Sequence, residues 1–276
     1  MAALGQRSRL IYLPVSLAVA TSLFPFAWMA LSSIKTLREL YTVPPAWLPQ
    51  APTFVNYWKV LTESNIPRYF LNSLVISTGS TVIAIALAIF AAYGFARFRF
   101  AGKAWCEAFV LIGQLLPTAA IIVPLYIVLG KLGLANTWLG LILVYLILTL
   151  PLSVWMLIGY FSAIPVELEE AAIVDGASRV GVLTRITLPL SLPGIVAVVI
   201  YAFVTTWNEF IFALCLATDS RAKTLPIGLS EFSTEFNTDW GAVMAASMLM
   251  TLPVIAMFLA MQRLFIDGLT AGATKG

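Results

Sequence analysis

The chain has 276 residues, of which 61% are hydrophobic and 11% charged, whereas a soluble domain carries about 25% charged residues. A water-soluble fold has no use for that much apolar surface, and a net charge of +3 from 16 basic and 13 acidic residues is too slight and dispersed for nucleic-acid binding. The chain lacks histidine, which excludes a Ser-His-Asp triad or a His-based zinc protease, and it has no GxxxxGKS or GxxxxGKT run to hold ATP.

Crossing a hydrocarbon layer of roughly 30 Å takes about 20 apolar residues at about 1.5 Å each. The length therefore suits an all-α membrane protein, one transmembrane domain over residues 1–276 with about six spans. Apolar segments fall at about 10–33, 70–95, 105–129, 137–161, 189–214 and 241–262. Each is read as a helix, because backbone groups in lipid must be bonded within the segment. The first follows Arg7 and Arg9 and is too long for a signal-peptide core, so it is read as a retained span. Pro14, Pro25, Pro117, Pro124, Pro151, Pro193 and Pro253 lie inside these segments and are expected to kink or break them.

Between the first two spans, residues 34–69 are rich in proline and aromatics, including Pro44, Pro45, Trp47, Tyr57 and Trp58. Such residues favour the headgroup level, so part of this segment is expected along the outer interface, where it also offers a docking surface. In the second span Ser80, Ala84, Ala88 and Ala92 recur every four residues, a face that lets another helix approach closely. With the N-terminus inside, the cytoplasmic pieces hold nine basic residues in 59 positions against seven in 69 outside, which favours cytoplasmic N- and C-termini. Cys106 and Cys215 then fall at opposite faces, too far apart for a disulfide.

The longest cytoplasmic loop, 163–188, reads as helix, turn, helix. Pro165 suits a first helical position, and Glu167, Glu169 and Glu170 complement the helix dipole. Asp175-Gly176 supplies the stop, glycine accepting a positive φ, and Ser178 caps the second helix. The small Ala171, Ala172 and Gly176 permit a close backbone approach by another protein.

Inside the spans, Glu209 next to Asn208 is the notable ionisable residue, and Gln114 in the third span is a weaker polar candidate. A carboxylate at the bilayer centre costs at least about 2.5 kcal/mol, so Glu209 is expected to face protein or water. It is read either as a wall of the solute path or as a partner for a polar group or helix end.

Glu170-Ala171-Ala172, three residues, Gly176, nine residues, then Ile186-Thr187-Leu188-Pro189 resembles the EAA signature of permease subunits of ABC importers. The resemblance runs over nearly the whole chain and narrows to the maltose-type carbohydrate-uptake permeases. It includes Asn72-Ser73-Leu74, Ala91-Ala92-Tyr93 with Ala96-Arg97-Phe98-Arg99-Phe100, and Leu132-Gly133-Leu134 with Asn136-Thr137. It continues with Trp207-Asn208-Glu209-Phe210, Thr224-Leu225-Pro226-Ile227-Gly228-Leu229 and a closing Gly268 to Gly276 stretch.

This resemblance implies a sugar-importing permease subunit of a prokaryotic cytoplasmic membrane. Its implied partners are a second permease subunit in a heterodimer, two cytosolic ABC ATPase subunits, an extracytoplasmic solute-binding protein and membrane lipid, with no nucleic acid. The subunit itself is non-catalytic and binds no cofactor; ATP and Mg belong to the ATPase subunits. Glu170, Ala171, Ala172, Asp175, Gly176, Ile186, Leu188 and Pro189 would form the ATPase-coupling element, and Asn208, Glu209 and Gln114 candidate path residues. Val180 and Leu183 depart from the family, which often has aromatics four and seven positions after the glycine. The competing reading is a proton-coupled secondary transporter that titrates Glu209, although no repeats or second intramembrane acid accompany it.

Overall fold

A computed structural model describes residues 2–115 and 117–273, with side chains described for 12, 14–115 and 117–264. Residue 116 of the third apolar segment, and Thr274, Lys275 and Gly276 of the closing motif, lie outside the described residues. The described chain is helical without a strand; a single bridge pairs Ser233 with Thr238. Among the described residues four helices are long and apolar enough to cross a membrane, Pro14–Ser33 within the first helix, Ile66–Arg97, Trp138–Ser162 and Trp240–Leu264, and the number reaches six if two bent helix pairs each count as one span.

The chain divides into two compact units, Met1–Pro67 with Gly228–Leu252, and Arg68–Ile227 with Pro253–Gly276. In the first, α1 (Ala2–Ser33) is followed by the short α2 (Leu37–Leu40) and α3 (Val55–Thr62). Thr36 and Glu39 form a reciprocal capping box at the start of α2, and Glu39 Oε1 also accepts from the amides of Gln50 and Ala51. One carboxylate thereby fixes the irregular segment that follows. Asn56 on α3 donates to the carbonyls of Ser33 and Lys35, where α1 has run out of internal donors. Lys59 pairs with Asp239 ahead of α14 (Trp240–Ala273), and Tyr41 donates to the Thr238 carbonyl.

The second unit is built on α4 (Ile66–Arg97) and α7 (Trp138–Ser162), with α5 (Lys103–Ile112), α6 (Thr118–Lys131) and α11 (Leu192–Trp207) around them. Ser80, Ala84, Ala88 and Ala92 are all fully buried. Lipid tails are as apolar as leucine, so close packing drives helix association there, and small side chains allow it. Ala88 and Ala92 share a core with Val154, Leu157 and Phe161 of α7 and Val198 of α11. Where α11 meets α7, a Cβ on Gly194 would fall 2.3 Å from the Tyr160 ring, so only glycine fits.

The prolines divide between breaks and continuous helices. Pro14, Pro25, Pro124, Pro151 and Pro253 are carried inside continuous helices. A long helix absorbs one missing N–H while the rest of its ladder is intact. Breaks occur beside Pro117, which with ψ 127° stands as the N-cap of α6, and ahead of Pro193, where Arg179–Leu190 and Leu192–Trp207 meet at 80°. The third and fifth apolar segments are thus broken pairs rather than single helices, and the fifth ends at a second break, residues 208–210, before α12 (Ile211–Leu216). Cys106 and Cys215 are both free and exposed.

Candidate functional site

The segment after α7 folds as the sequence predicts, in a helical hairpin. α8 spans Val166–Val174, and Pro165, with ψ 130°, stands just outside it as the N-cap rather than at the first helical position. The extended ψ swings the chain out of α7 before α8 begins. At the other end Gly176 has φ +89°, the Gly176 amide donates to the Ile173 carbonyl at 3.0 Å and the Ala177 amide to Ala172 at 2.9 Å. This pair of bonds is the Schellman ending, and it needs a left-handed residue where glycine stands. Ser178 then caps α9 (Arg179–Val182), its Oγ accepting from the Gly181 amide at 3.2 Å. A π turn, Leu183–Thr187, and α10 (Leu188–Leu190) carry the chain to the fifth segment.

The two faces of α8 have different uses. Glu167, Glu170, Ala171 and Val174, at i, i+3, i+4 and i+7, are exposed, as are Asp175 and Gly176 beyond them. Val174 is 86% and Val180 64% exposed, which gives this acidic surface an apolar centre. Ala172 is half-buried on the opposite face. Of the second motif half, Ile186 and Leu188 are half-buried and Pro189 is exposed; Leu188 packs on the core that contains Leu183. The two departures from the family separate cleanly: Leu183 is buried with Tyr93 and Phe161, and Val180 stays at the surface.

Glu169 corrects the sequence reading, which placed it with the dipole-facing acids. It is buried, and its Oε1 accepts from Arg97 Nε at 2.9 Å and from Thr187 Oγ1 at 2.8 Å, while Oε2 accepts from the Tyr93 hydroxyl at 3.2 Å. Arg97, counted above as a topology signal, is also buried; its Nη2 donates to the carbonyls of Phe161 and Ile164 at 2.8 and 3.2 Å, at the end of α7. One ion pair therefore joins α4, α7, α8 and the π turn. The burial of Glu169, though not its partner, was signalled, since Glu169 shares a helix face with Ala172 and Ile173 at i+3 and i+4, away from Glu167 and Glu170. Burying two charges costs several kcal/mol each, and such a pair holds only with further hydrogen bonds; here both Glu169 oxygens accept, and Arg97 donates from Nε and Nη2.

The intramembrane candidates are not brought together. Asn208 is exposed and donates back to the Val204 carbonyl at 2.8 Å, closing α11. Glu209, half-buried in the break, accepts from the amides of Phe212 and Ala213 at 2.8 and 3.0 Å, which satisfies the unpaired donors at the start of α12. Its role in the structure is that of a partner for a helix end. Gln114 donates to the Leu148 carbonyl at 2.9 Å.

Several scattered motif residues do converge, at the end of this unit remote in sequence from the hairpin. Asn72 Nδ2 donates to the Lys223 carbonyl at 2.8 Å and its Oδ1 accepts from Trp138 Nε1 at 2.9 Å, while Ser73 Oγ accepts from the Leu225 amide at 2.7 Å. Asn136, at φ +57°, accepts through Oδ1 from the amides of Thr218 and Asp219. These polar knots pin the connections between α6 and α7 and between α12 and α13 (Leu225–Ser230).

Residues 84–270 match the family described as binding-protein-dependent transport system inner membrane component, a stretch that includes the hairpin and the Arg97–Glu169 pair. The chain belongs to this family. It is similar to the trehalose/maltose transport system permease protein MalG of Thermococcus litoralis, with 39% identity covering 92% of each chain. It is also similar to the sulfoquinovosyl glycerol transport system permease protein SmoH of Agrobacterium fabrum, with 34% identity over 96% of this chain and 93% of that one. Its fold matches a chain from the crystal structure of a bacterial ABC transporter that imports alginate, with a TM-score of 0.79, 18% identity, and 93% and 95% of the two chains covered. Membership makes the protein a membrane-embedded permease component of an ABC importer that works with a solute-binding protein and an ATPase, and a transport subunit rather than a catalyst. None of these relatives supports the secondary-carrier reading of Glu209.

Proposed function

We propose that this chain is one permease half of a sugar-importing ABC transporter, and that the α8–α9 hairpin passes ATP-driven motion from a cytosolic ATPase to the membrane helices. The observation that carries this reading is the two-sidedness of the hairpin. Its outer surface, with Glu170, Ala171, Asp175 and Gly176, is exposed and has an apolar centre at Val174 and Val180, while its inner face is tied to α4 and α7 through Glu169. Force applied to such a lever moves helices instead of bending a loop. The substrate class rests on the relatives, whose names specify trehalose, maltose and sulfoquinovosyl glycerol.

In this account residues 1–276 form one transmembrane domain with both termini cytoplasmic, paired in a heterodimer with a second permease, and the loop 163–188 meets the ATPase. The chain binds no nucleotide; ATP and Mg sit on two ATPase subunits. Alternating access supplies the transport step. The decisive experiment places a cysteine at Val174, replaces Cys106 and Cys215, and cross-links the assembled transporter. A disulfide or short cross-link to the ATPase subunit, together with saccharide-stimulated ATP hydrolysis in the presence of the binding protein, is expected. Cross-links only to lipid or to the binding protein would overturn the assignment.

A further inference from the structure

Lys35, just past the end of α1, is 2% exposed, although no carboxylate among the described residues lies within ion-pairing distance of it. Its Nζ donates to the Ala46 carbonyl at 2.6 Å and lies 4.3 Å from the centre of the Trp28 ring. An ammonium has three donors, so this arrangement leaves it with unused hydrogen-bonding capacity. Lys35 lines a cavity of about 270 Å³ together with Trp28, Glu39, Pro45 and Trp240. Glu39 offers that cavity little, because its two oxygens already accept from the Thr36 amide and hydroxyl and from the amides of Gln50 and Ala51, which fills its four lone-pair positions.

A second cavity of about 380 Å³ shares the Trp28 and Pro45 walls and is otherwise lined by Phe24, Pro44 and Trp47. Phe24 lies nine residues before the end of α1 at Ser33, which at 1.5 Å per residue is about 14 Å deeper along the span. The two cavities thus present a desolvated cation at the end of a transmembrane helix and an aromatic, apolar groove that runs from it to hydrocarbon depth.

We propose that this pair of cavities binds a glycerophospholipid, with its phosphodiester on Lys35 and an acyl chain along Phe24, Trp28 and Trp47. A sugar would find Lys35 in the first cavity but no polar partner along the apolar groove. The saturated but charged Glu39 disfavours a doubly charged phosphate and tolerates a singly charged phosphodiester. This inference is independent of the hairpin's role.

The test uses the whole transporter in nanodiscs made from phosphatidylglycerol or phosphatidylethanolamine with a photoactivatable acyl chain. Cross-links are expected at Phe24, Trp28 or Trp47, and labelling confined to other residues would overturn the proposal. Native mass spectrometry after partial delipidation should show a retained phospholipid, weakened about tenfold in Lys35→Gln and kept in Lys35→Arg, the change expected for one lost charge-assisted hydrogen bond. Diacylglycerol with the same chains should be held as weakly as phospholipid on Lys35→Gln, and inorganic phosphate should not compete. Equal retention of diacylglycerol, displacement by phosphate or by a saccharide, or unchanged retention in Lys35→Gln would each contradict the assignment. If Lys35→Gln does not assemble, the cross-linking map of the wild type decides alone.

Discussion

Arg97 Nε and Glu169 Oε1 lie 2.9 Å apart with their side chains 4% and 2% exposed, and they join the last turn of α4 to the middle of α8. Removing one partner strands the other in a dry site, at a cost of about 3–5 kcal/mol. Glu169→Leu and Arg97→Met should therefore each lower the thermal midpoint of the purified transporter strongly. The double variant Arg97→Met with Glu169→Leu should recover much of that loss. Additive losses in this cycle would show that the pair is not coupled.

Glu39 has its carboxyl lowered from 4.5 to about 2, first by the hydrogen bond from the Thr36 amide, against a smaller opposing effect of desolvation, and then by the amides of Gln50 and Ala51. A depressed carboxyl contributes stability that is complete above its unfolded value and is lost as pH falls through the folded one. The window here is from 4.5 down to about 2. Hydrogen exchange at the Gln50 and Ala51 amides, corrected for intrinsic rates, should thus stay protected at about pH 5, weaken by pH 3 and be lost below 2. In Glu39→Gln protection should be low throughout and independent of pH. Wild-type protection already lost at pH 4 would mean that the carboxyl titrates normally.

Glu209 holds the start of α12 through the amides of Phe212 and Ala213. Glu209→Gln keeps an acceptor in place, whereas Glu209→Ala removes it at a cost of about 1 kcal/mol, by analogy with the loss of a helix cap. ATP-driven uptake by Glu209→Gln should be preserved or reduced by the same factor at every pH. A variant that keeps solute exchange and loses only proton coupling would revive the secondary carrier.

Sidedness follows from the span count. With Cys106 and Cys215 replaced, Ser178→Cys and Arg221→Cys, both at exposed positions, should react with an impermeant thiol reagent from opposite sides. Labelling of Ser178→Cys from outside intact cells would invert the topology.

The hairpin was legible in the sequence because each of its parts is local. The Gly176 stop, the Ser178 cap and the acids of α8 all interact within a few residues, and φ +89° at Gly176 follows from the bonds its neighbours make. The buried face of α4 was legible for the same reason, through a four-residue repeat of small side chains. What held Glu169 in place was not, because its partner Arg97 is 72 residues away and both look like surface charges in isolation. Proline positions marked both broken segments, but no local pattern distinguishes Pro117 and Pro193 from the prolines carried inside continuous helices. Lys35 likewise resembles an ordinary loop cation until Trp28 and Ala46 are seen around it.

Gly176 gives the most direct test of the coupling role. A Cβ there would meet no heavy atom within 4 Å beyond its own chain neighbours, so the cost of Gly176→Val to the chain itself is chiefly left-handed backbone strain, at least about 1–2 kcal/mol and more for a β-branched residue. A loss of ATPase binding or of coupling in a subunit that still inserts normally must come from what docks against the hairpin. The measurement is solute uptake per ATP hydrolysed in proteoliposomes, together with the amount of ATPase subunit that co-purifies. Gly176→Val should insert normally and then either lose its ATPase or hydrolyse ATP without moving solute. Normal insertion, full ATPase association and wild-type uptake per ATP would contradict the coupling role.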